Sequence, residues 1–308
     1  LIFDNCIDSG AKVIQFKRQK TIKKQVSFVG KGLFSGEKVS MNLCPSLENT
    51  GIYFQRMDLP GQPMIKASLE NVKKTTLCTT LGNDQFTIQT VEHILSALFA
   101  HGIDNAIIQL SGFEVPIGDG SAKPFISLIK EAEIISLDAE KQIVQLQSPV
   151  SWSEKEIHLV AIPSDGFKVS FTLNFPHSKL LKSQFFSYSL EKDDYESLIA
   201  PSRTFSLYED IKPLLDRNMM RGGGLENAVL IKDNEVMNPE GLRFEDEMVR
   251  HKILDLIGDL SLMGIGVDAH IIAIRSGHYS NVAFAKNLIR HLKGEKINGR
   301  IERTCIGS

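Results

Sequence analysis

The words GIDNAII at residues 102–108 and GVDAHII at residues 266–272 are near copies set far apart in one chain. Each opens on a glycine, carries an aspartate two residues later and runs into a β-type apolar stretch, Ala106–Leu110 or His270–Ile274. A helix-period segment precedes each word. One runs from Thr90 to about Phe99, with Thr90 as N-cap and Gly102 as stop; the other runs from about Glu245 to Met263 and stops at Gly264. A second helix follows each word, Pro124–Glu131 after the loop FEVPIGDGSAK and Asn281–Leu292 after a turn at Ser276–His278. Strand-like alternation comes earlier in both halves: QVSFVG, KVSMNL and GIYFQR within residues 25–80, then IHLVAI and KVSFTLNF, with an ambiguous helical stretch at Glu191–Ile199. This plan, met twice, predicts an α+β fold of two similar domains packed on each other. A duplicated domain offers its interface as a site, so the helix of His93 is expected opposite the helix of His251. The polar stretch Asp138–Gln142 reads as a linker between domains at 18–137 and 143–297, with residues 1–17 an extension of unassigned role and 298–308 a tail.

The chain's 308 residues suffice for a sizeable core, and 42% hydrophobic with 23% charged residues is ordinary for a globular protein. A net charge of -2 leaves no electrostatic footprint for nucleic acid or an anionic membrane. Lys17–Lys24 (KRQKTIKK) is locally basic but lacks interleaved aromatics, which reads as a solvated strand edge. Cys6, Cys44, Cys78 and Cys305 are widely spaced with no CxxC pair, which argues against a disulfide framework and fits a reducing compartment. No apolar run approaches the ~20 residues of a bilayer span, and the first residues carry no signal-peptide pattern. The expectation is a cytoplasmic protein.

Three histidines stand out by neighbourhood. His93 follows Glu92 at the start of its helix and faces away from the stripe of Val91, Ile94, Leu95 and Leu98. His251 lies in RHKILDLIGD, residues 250–259, with Asp255 one turn on. At about 100° per residue, His251, Lys252, Asp255 and Asp259 share roughly a third of that helix's circumference. Such a strip is either a solvated face with an i,i+4 pair or a set of ligands aimed into a cleft. His278 follows Gly277 at the end of a strand, where a side chain can enter a cleft; His270 is expected packed and His291 solvated. Two imidazoles and a carboxylate would leave a fourth position open for water, as catalytic zinc requires, and a nearby Glu92 could accept a proton from it. No HExxH word is present, and neither GKGLFSG (30–36) nor Arg221–Gly224 matches a phosphate-cradling loop.

Six words in this order, TVEHILSAL, GIDNAIIQL, EVPIGDGSAKPF, SRTF, GLRFEDEMVRHKILDLIGDL and SGH, resemble the UDP-3-O-acyl-N-acetylglucosamine deacetylases, the zinc amidases of lipid A biosynthesis, over about residues 18–295. The resemblance implies two domains of similar topology, each a small, mainly antiparallel sheet with two helices, packed helix layer to helix layer with the active site at the interface. It implies a Zn2+ cofactor held by His93, His251 and Asp255, with Glu92 as general base. His278 would be the acid that protonates the leaving amine, and Asp259 its partner. Thr204 would polarise the acetyl carbonyl. Lys252, Phe205, Phe175 and Leu77 would contact the substrate, UDP-3-O-acyl-N-acetylglucosamine, whose acyl chain would occupy an apolar insert near 207–236. Hydrolysis would release acetate. The alternatives are a zinc amidase acting on another sugar nucleotide and a sugar-nucleotide-binding module without turnover. The sequence departs from the family's Gly-Leu-His-Thr-Gly word, reading Gly32-Leu33-Phe34-Ser35-Gly36, and no lysine matches the one expected at the diphosphate.

Overall fold

The computed structural model describes residues 10–294, so residues 1–9 and the expected tail at 298–308 lie outside the described residues. In the first half, β2 (Val26–Lys31), β3 (Lys38–Pro45), β9 (Ala106–Leu110), β4 (Ile52–Arg56) and β5 (Met64–Lys66) lie side by side in that order. In the second half the row is β11 (Val150–Glu154), β12 (Ile157–Pro163), β18 (Gly266–Ile274), β13 (Lys168–Phe175) and β14 (Lys182–Ser189). The senses match pair by pair. Within these two rows of five, the parallel pairs are the central strand and one neighbour, β9 with β4 and β18 with β13. The register matches too: Ala106 faces Pro45 and Ile52, while His270 faces Ile162 and Lys168. The repeated words therefore form the same central strand of the same sheet, built twice.

Around each central strand the helices also repeat. α1 (Glu92–Ala100) precedes β9 and α2 (Lys123–Ala132) follows it; α5 (Glu247–Ser261) precedes β18 and α6 (His278–Leu292) follows it. α1 packs on α5, so the two halves meet through their helix layers. Every α1 residue from Glu92 to Leu98 is buried, because one face meets its own sheet and the other meets α5. α5 contributes Ile253, Leu254, Leu256, Ile257 and Leu260 to the core, each worth roughly 1.5–3 kcal/mol when fully buried. Gly258 sets how closely the helices approach. A Cβ there would lie 2.2 Å from the Glu92 carbonyl oxygen, so no other residue fits without moving backbone. Gly258→Ala should therefore destabilise the protein by roughly 1–3 kcal/mol, despite alanine's better helix propensity. It should also weaken binding at the site that α1 and α5 share. Urea unfolding and metal titration check the two effects, and an alanine variant as stable as its parent would refute the contact.

Several expectations need correction. Thr90 is not the N-cap of α1: it has φ +60° and Val91 takes that position. The 138–142 stretch expected to join the domains is part of β10 (Ile134–Leu146), which pairs along its length with β1 (Ala11–Ile22), so the join it forms is a paired strand. Residues 11–17 of the expected extension belong to β1, the edge strand that also carries most of the basic run. The stretch at 191–199 is helical only over α3 (Tyr195–Leu198), because the Asp194 side chain accepts from the Glu196 amide at 3.1 Å and starts the turn there. The last helix begins at His278, not at Asn281. His270, expected packed, and His291, expected solvated, are both half-buried, the first hydrogen-bonded to Ser170 Oγ at 2.8 Å and the second to Ser148 Oγ at 3.1 Å. Two small sheets complete the structure: β6 (Val72–Lys74), β7 (Thr80–Gly82) and β8 (Thr87–Ile88) in the first half, and β15 (Phe205–Leu207), β16 (Val229–Lys232) and β17 (Glu235–Val236) in the second. α4 (Tyr208–Asp216) crosses between β15 and β16. Among the described residues, no helix is long and apolar enough to cross a membrane.

Candidate metal centre and acid–base pair

α1 supplies Glu92 and His93 from its first turn, and α5 supplies His251, Lys252, Asp255 and Asp259 from one face. The helix contact brings His93, His251 and Asp255 together, with one ligand atom from each all within 4.8 Å of one another. His251 Nε2 lies 3.3 Å from Asp255 Oδ1, and His93 Nε2 lies 3.7 Å from the same oxygen. Ligands about 2 Å from a tetrahedral ion stand about 3.3 Å apart, so the spacing suits a metal. The donor chemistry suits it as well. His251 Nδ1 donates to the Ser202 carbonyl at 3.0 Å, which leaves the Nε2 lone pair facing the cluster. Burial pushes His251 below its ordinary pKa, and burial with the neighbouring His251 pushes His93 down to about 3, so both rings are neutral near pH 7. Burial resists ionisation of Asp255, but Lys252 Nζ at 2.7 Å, with the surrounding imidazoles, holds it well below the usual carboxylate range. Asp255 Oδ1 is itself buried without a hydrogen-bond partner. A buried carboxylate oxygen left open between two neutral imidazoles is what a cation would complete.

Beside this cluster stands a second one. The His278 side chain projects from the first turn of α6; its Nδ1 meets Asp259 Oδ2 at 2.8 Å and its Nε2 lies 3.6 Å from Glu92 Oε1. Burial alone would depress His278, yet Asp259 and then Glu92 raise it to about 10. Burial raises Glu92 to about 7, opposed by His278 and supported by Asp255 and Asp259. Near neutrality the site thus holds a carboxyl close to its midpoint next to an imidazolium, a pairing suited to taking one proton and giving another.

The remaining expected residues fall into two connected spaces. His93, His251, Asp255, Glu92, His278, Thr204, Phe205, Lys252 and Leu77 all line one small cavity; Asp259 sits fully buried behind His278. Phe34, where the family pattern has histidine, also lines this cavity. Phe175 lies in the neighbouring cleft, edge-on to Phe205 with centroids 6.2 Å apart, and Lys252 borders both spaces. Arg275 and His177 line that cleft too.

Other residues of the site gave no clear signal in the sequence. Arg203 and Glu247 form a buried pair: Glu247 Oε1 accepts from Arg203 N at 2.9 Å and Nε at 2.8 Å. Glu247 lies one turn before His251, so the pair fixes the Ser202 carbonyl against the His251 ring. Thr79 and Asn281 both donate to Asp259, at 2.6 and 2.9 Å. The signal for Asn281 was available, since it stands three residues after His278 on the same helix.

A place for a cation, a proton acceptor and a proton donor within one cavity is the equipment of hydrolysis. Residues 19–290 match the model of the UDP-3-O-acyl N-acetylglycosamine deacetylase family. The chain is 42% identical over 278 residues to UDP-3-O-acyl-N-acetylglucosamine deacetylase of Chlamydia pneumoniae, covering 90% of this chain and 99% of that protein. The protein of the same name from Chlamydia caviae is 43% identical, with 90% and 99% covered, and that of Chlamydia trachomatis serovar L2 is 42% identical, with 91% and 98% covered. The chain belongs to this deacetylase family.

Proposed function

We propose that this chain is a zinc-dependent deacetylase that hydrolyses the acetamide of UDP-3-O-acyl-N-acetylglucosamine and releases acetate, the committed step of lipid A biosynthesis, in the cytoplasm. The observation that carries the reading is the convergence of His93, His251 and Asp255 beside the Glu92–His278 pair. When bound, zinc supplies Lewis-acid polarisation and an acidified water. Glu92 accepts the proton of the attacking water. His278 donates the Nε2 proton to the departing amine nitrogen, while Asp259 holds its Nδ1–H and stabilises the imidazolium. Thr204 donates to the oxygen on which negative charge develops. Lys252 sets a positive charge where cavity and cleft meet, Phe205 and Leu77 wall the reacting group, and Phe175 faces the nucleotide end of the substrate.

The insert between Phe205 and Val236 brings Ile211, Leu214 and Met220 to the cavity, an apolar surface suited to the acyl chain. At about 0.8 kcal/mol per buried methylene, removing four methylenes should lower kcat/KM on the order of 100-fold. Acetate release from the acylated UDP-sugar, measured with and without a chelator, tests the whole reading. Release that stops with chelator and returns with zinc is expected. No release from the metal-loaded protein, or equal rates for long-acyl and short-acyl substrates, would refute the activity or the acyl site respectively.

A further inference from the structure

We infer that Thr79 is a positioning residue for the acid–base pair: it holds Asp259 by its hydroxyl and Glu92 by its backbone amide, and so fixes which oxygen of each carboxylate faces His278. The inference deepens the proposed deacetylation and rests on it.

Thr79 is fully buried and precedes β7 in the small sheet of the first half. Its Oγ1 donates to Asp259 Oδ1 at 2.6 Å, reaching across to α5 in the other half. Its N–H donates to Glu92 Oε2 at 3.1 Å, and its carbonyl accepts from Val91 N at 3.4 Å just before α1. One residue thus ties the start of the base-bearing helix to the carboxylate behind the acid.

The consequence at Asp259 is geometric. Asp259 is wholly buried and accepts three donors: Thr79 on Oδ1, and His278 and Asn281 on Oδ2. With both oxygens occupied, the carboxylate cannot turn, and Oδ2 stays in line with the imidazole Nδ1. Without the hydroxyl, Oδ1 would be left without a donor, and the carboxylate would be free to turn and loosen its hold on His278 Nδ1. At Glu92 the amide occupies Oε2, which leaves Oε1, 3.6 Å from His278 Nε2, as the oxygen free to accept a proton.

Thr79→Val keeps the shape and removes the hydroxyl, while Thr79→Ser keeps the hydroxyl and removes the methyl. With metal content held equal, Thr79→Val should lose 10- to 100-fold in kcat with KM within twofold, and Thr79→Ser should recover most of the loss. In an Asp259→Asn background, Thr79→Val should cost little more, because the hydroxyl acts through that carboxylate. A readout independent of turnover is the His278 Nδ1 proton in the NMR spectrum, identified by its absence in His278→Gln. It should be downfield and slow to exchange in the parent, and shifted or lost in Thr79→Val. Parent protein that shows this proton signal but releases no acetate would remove the proposed function, and the signal in Thr79→Val would still decide the inference. An unchanged signal and kcat in Thr79→Val, a serine variant as poor as valine, or full additivity with Asp259→Asn would each overturn it. If Thr79→Val does not fold, Thr79→Ala, which also removes the hydroxyl, takes its place in the kinetics, the NMR spectrum and the cycle with Asp259→Asn.

Discussion

Glu92→Gln should retain its metal and lose most of its turnover, by about 10²- to 10⁴-fold, the usual contribution of a positioned general base. Glutamine keeps the shape and can still accept the Thr79 amide, but it cannot accept the proton of the attacking water. His278→Gln should fall by a similar factor for the opposite reason, since an imidazolium proton is no longer available to the amine. The two variants should also separate by pH. Glu92 acts ionised, so the parent rate rises through its pKa, about 7 in the metal-free protein and lower once a cation stands beside it. His278 acts protonated, so the rate falls through a pKa near 10. Glu92→Gln should lose the rising limb that belongs to this carboxyl, and His278→Gln the falling one. Near-normal turnover and an unchanged alkaline limb in His278→Gln would assign the acid to another group.

His251→Ala should empty the metal site. The substitution leaves His93 and Asp255, two ligands where a catalytic zinc needs three from the protein. The loss of affinity should exceed the 10- to 100-fold that follows removal of a mere supporting contact to a ligand. A second effect is thermodynamic. A ligand that binds only the folded state stabilises it by about 2.7 kcal/mol at 100 times its Kd, so added zinc should raise the melting temperature of the parent and leave His251→Ala unmoved. Metal analysis after dialysis, together with thermal melts, checks both. Full occupancy in the variant would refute the ligand set.

The halves of the fold were legible because their central strands carry the same word, and a buried strand leaves little freedom in what that word contains. The candidate ligands on α5 were legible because i,i+4 spacing fixes His251 and Asp255 on one side of a helix, whatever that helix packs against. Choosing between a solvated face and a ligand face needed the partner helix, which periodicity does not supply. The 138–142 stretch reads as polar because every residue of β10 before Ile143 is exposed or half-buried, and only its pairing with β1 shows it as a strand. Ser202 escaped notice because its carbonyl, not its side chain, orients His251. Arg203 and Glu247 stand 44 residues apart, and only the fold shows them paired in the interior. Thr79 was hidden by its partners, which stand far along the chain or one small turn away, in no recurring spacing.

The long ribbon of β1 and β10 carries a mechanical meaning. Its inner end, Ile143–Gln145, is hydrogen-bonded to β18 of the second sheet. Further along, Lys20 accepts from the amides of Asp104 and Asn105 in the first half, Thr21 Oγ1 accepts from Ser46 N, and Lys141 pairs with Asp104. The chain therefore crosses from one half to the other inside a paired strand fastened at both ends, a splint where many two-lobed enzymes have a hinge. Any movement of one half against the other therefore has to bend a hydrogen-bonded ribbon and not a loop.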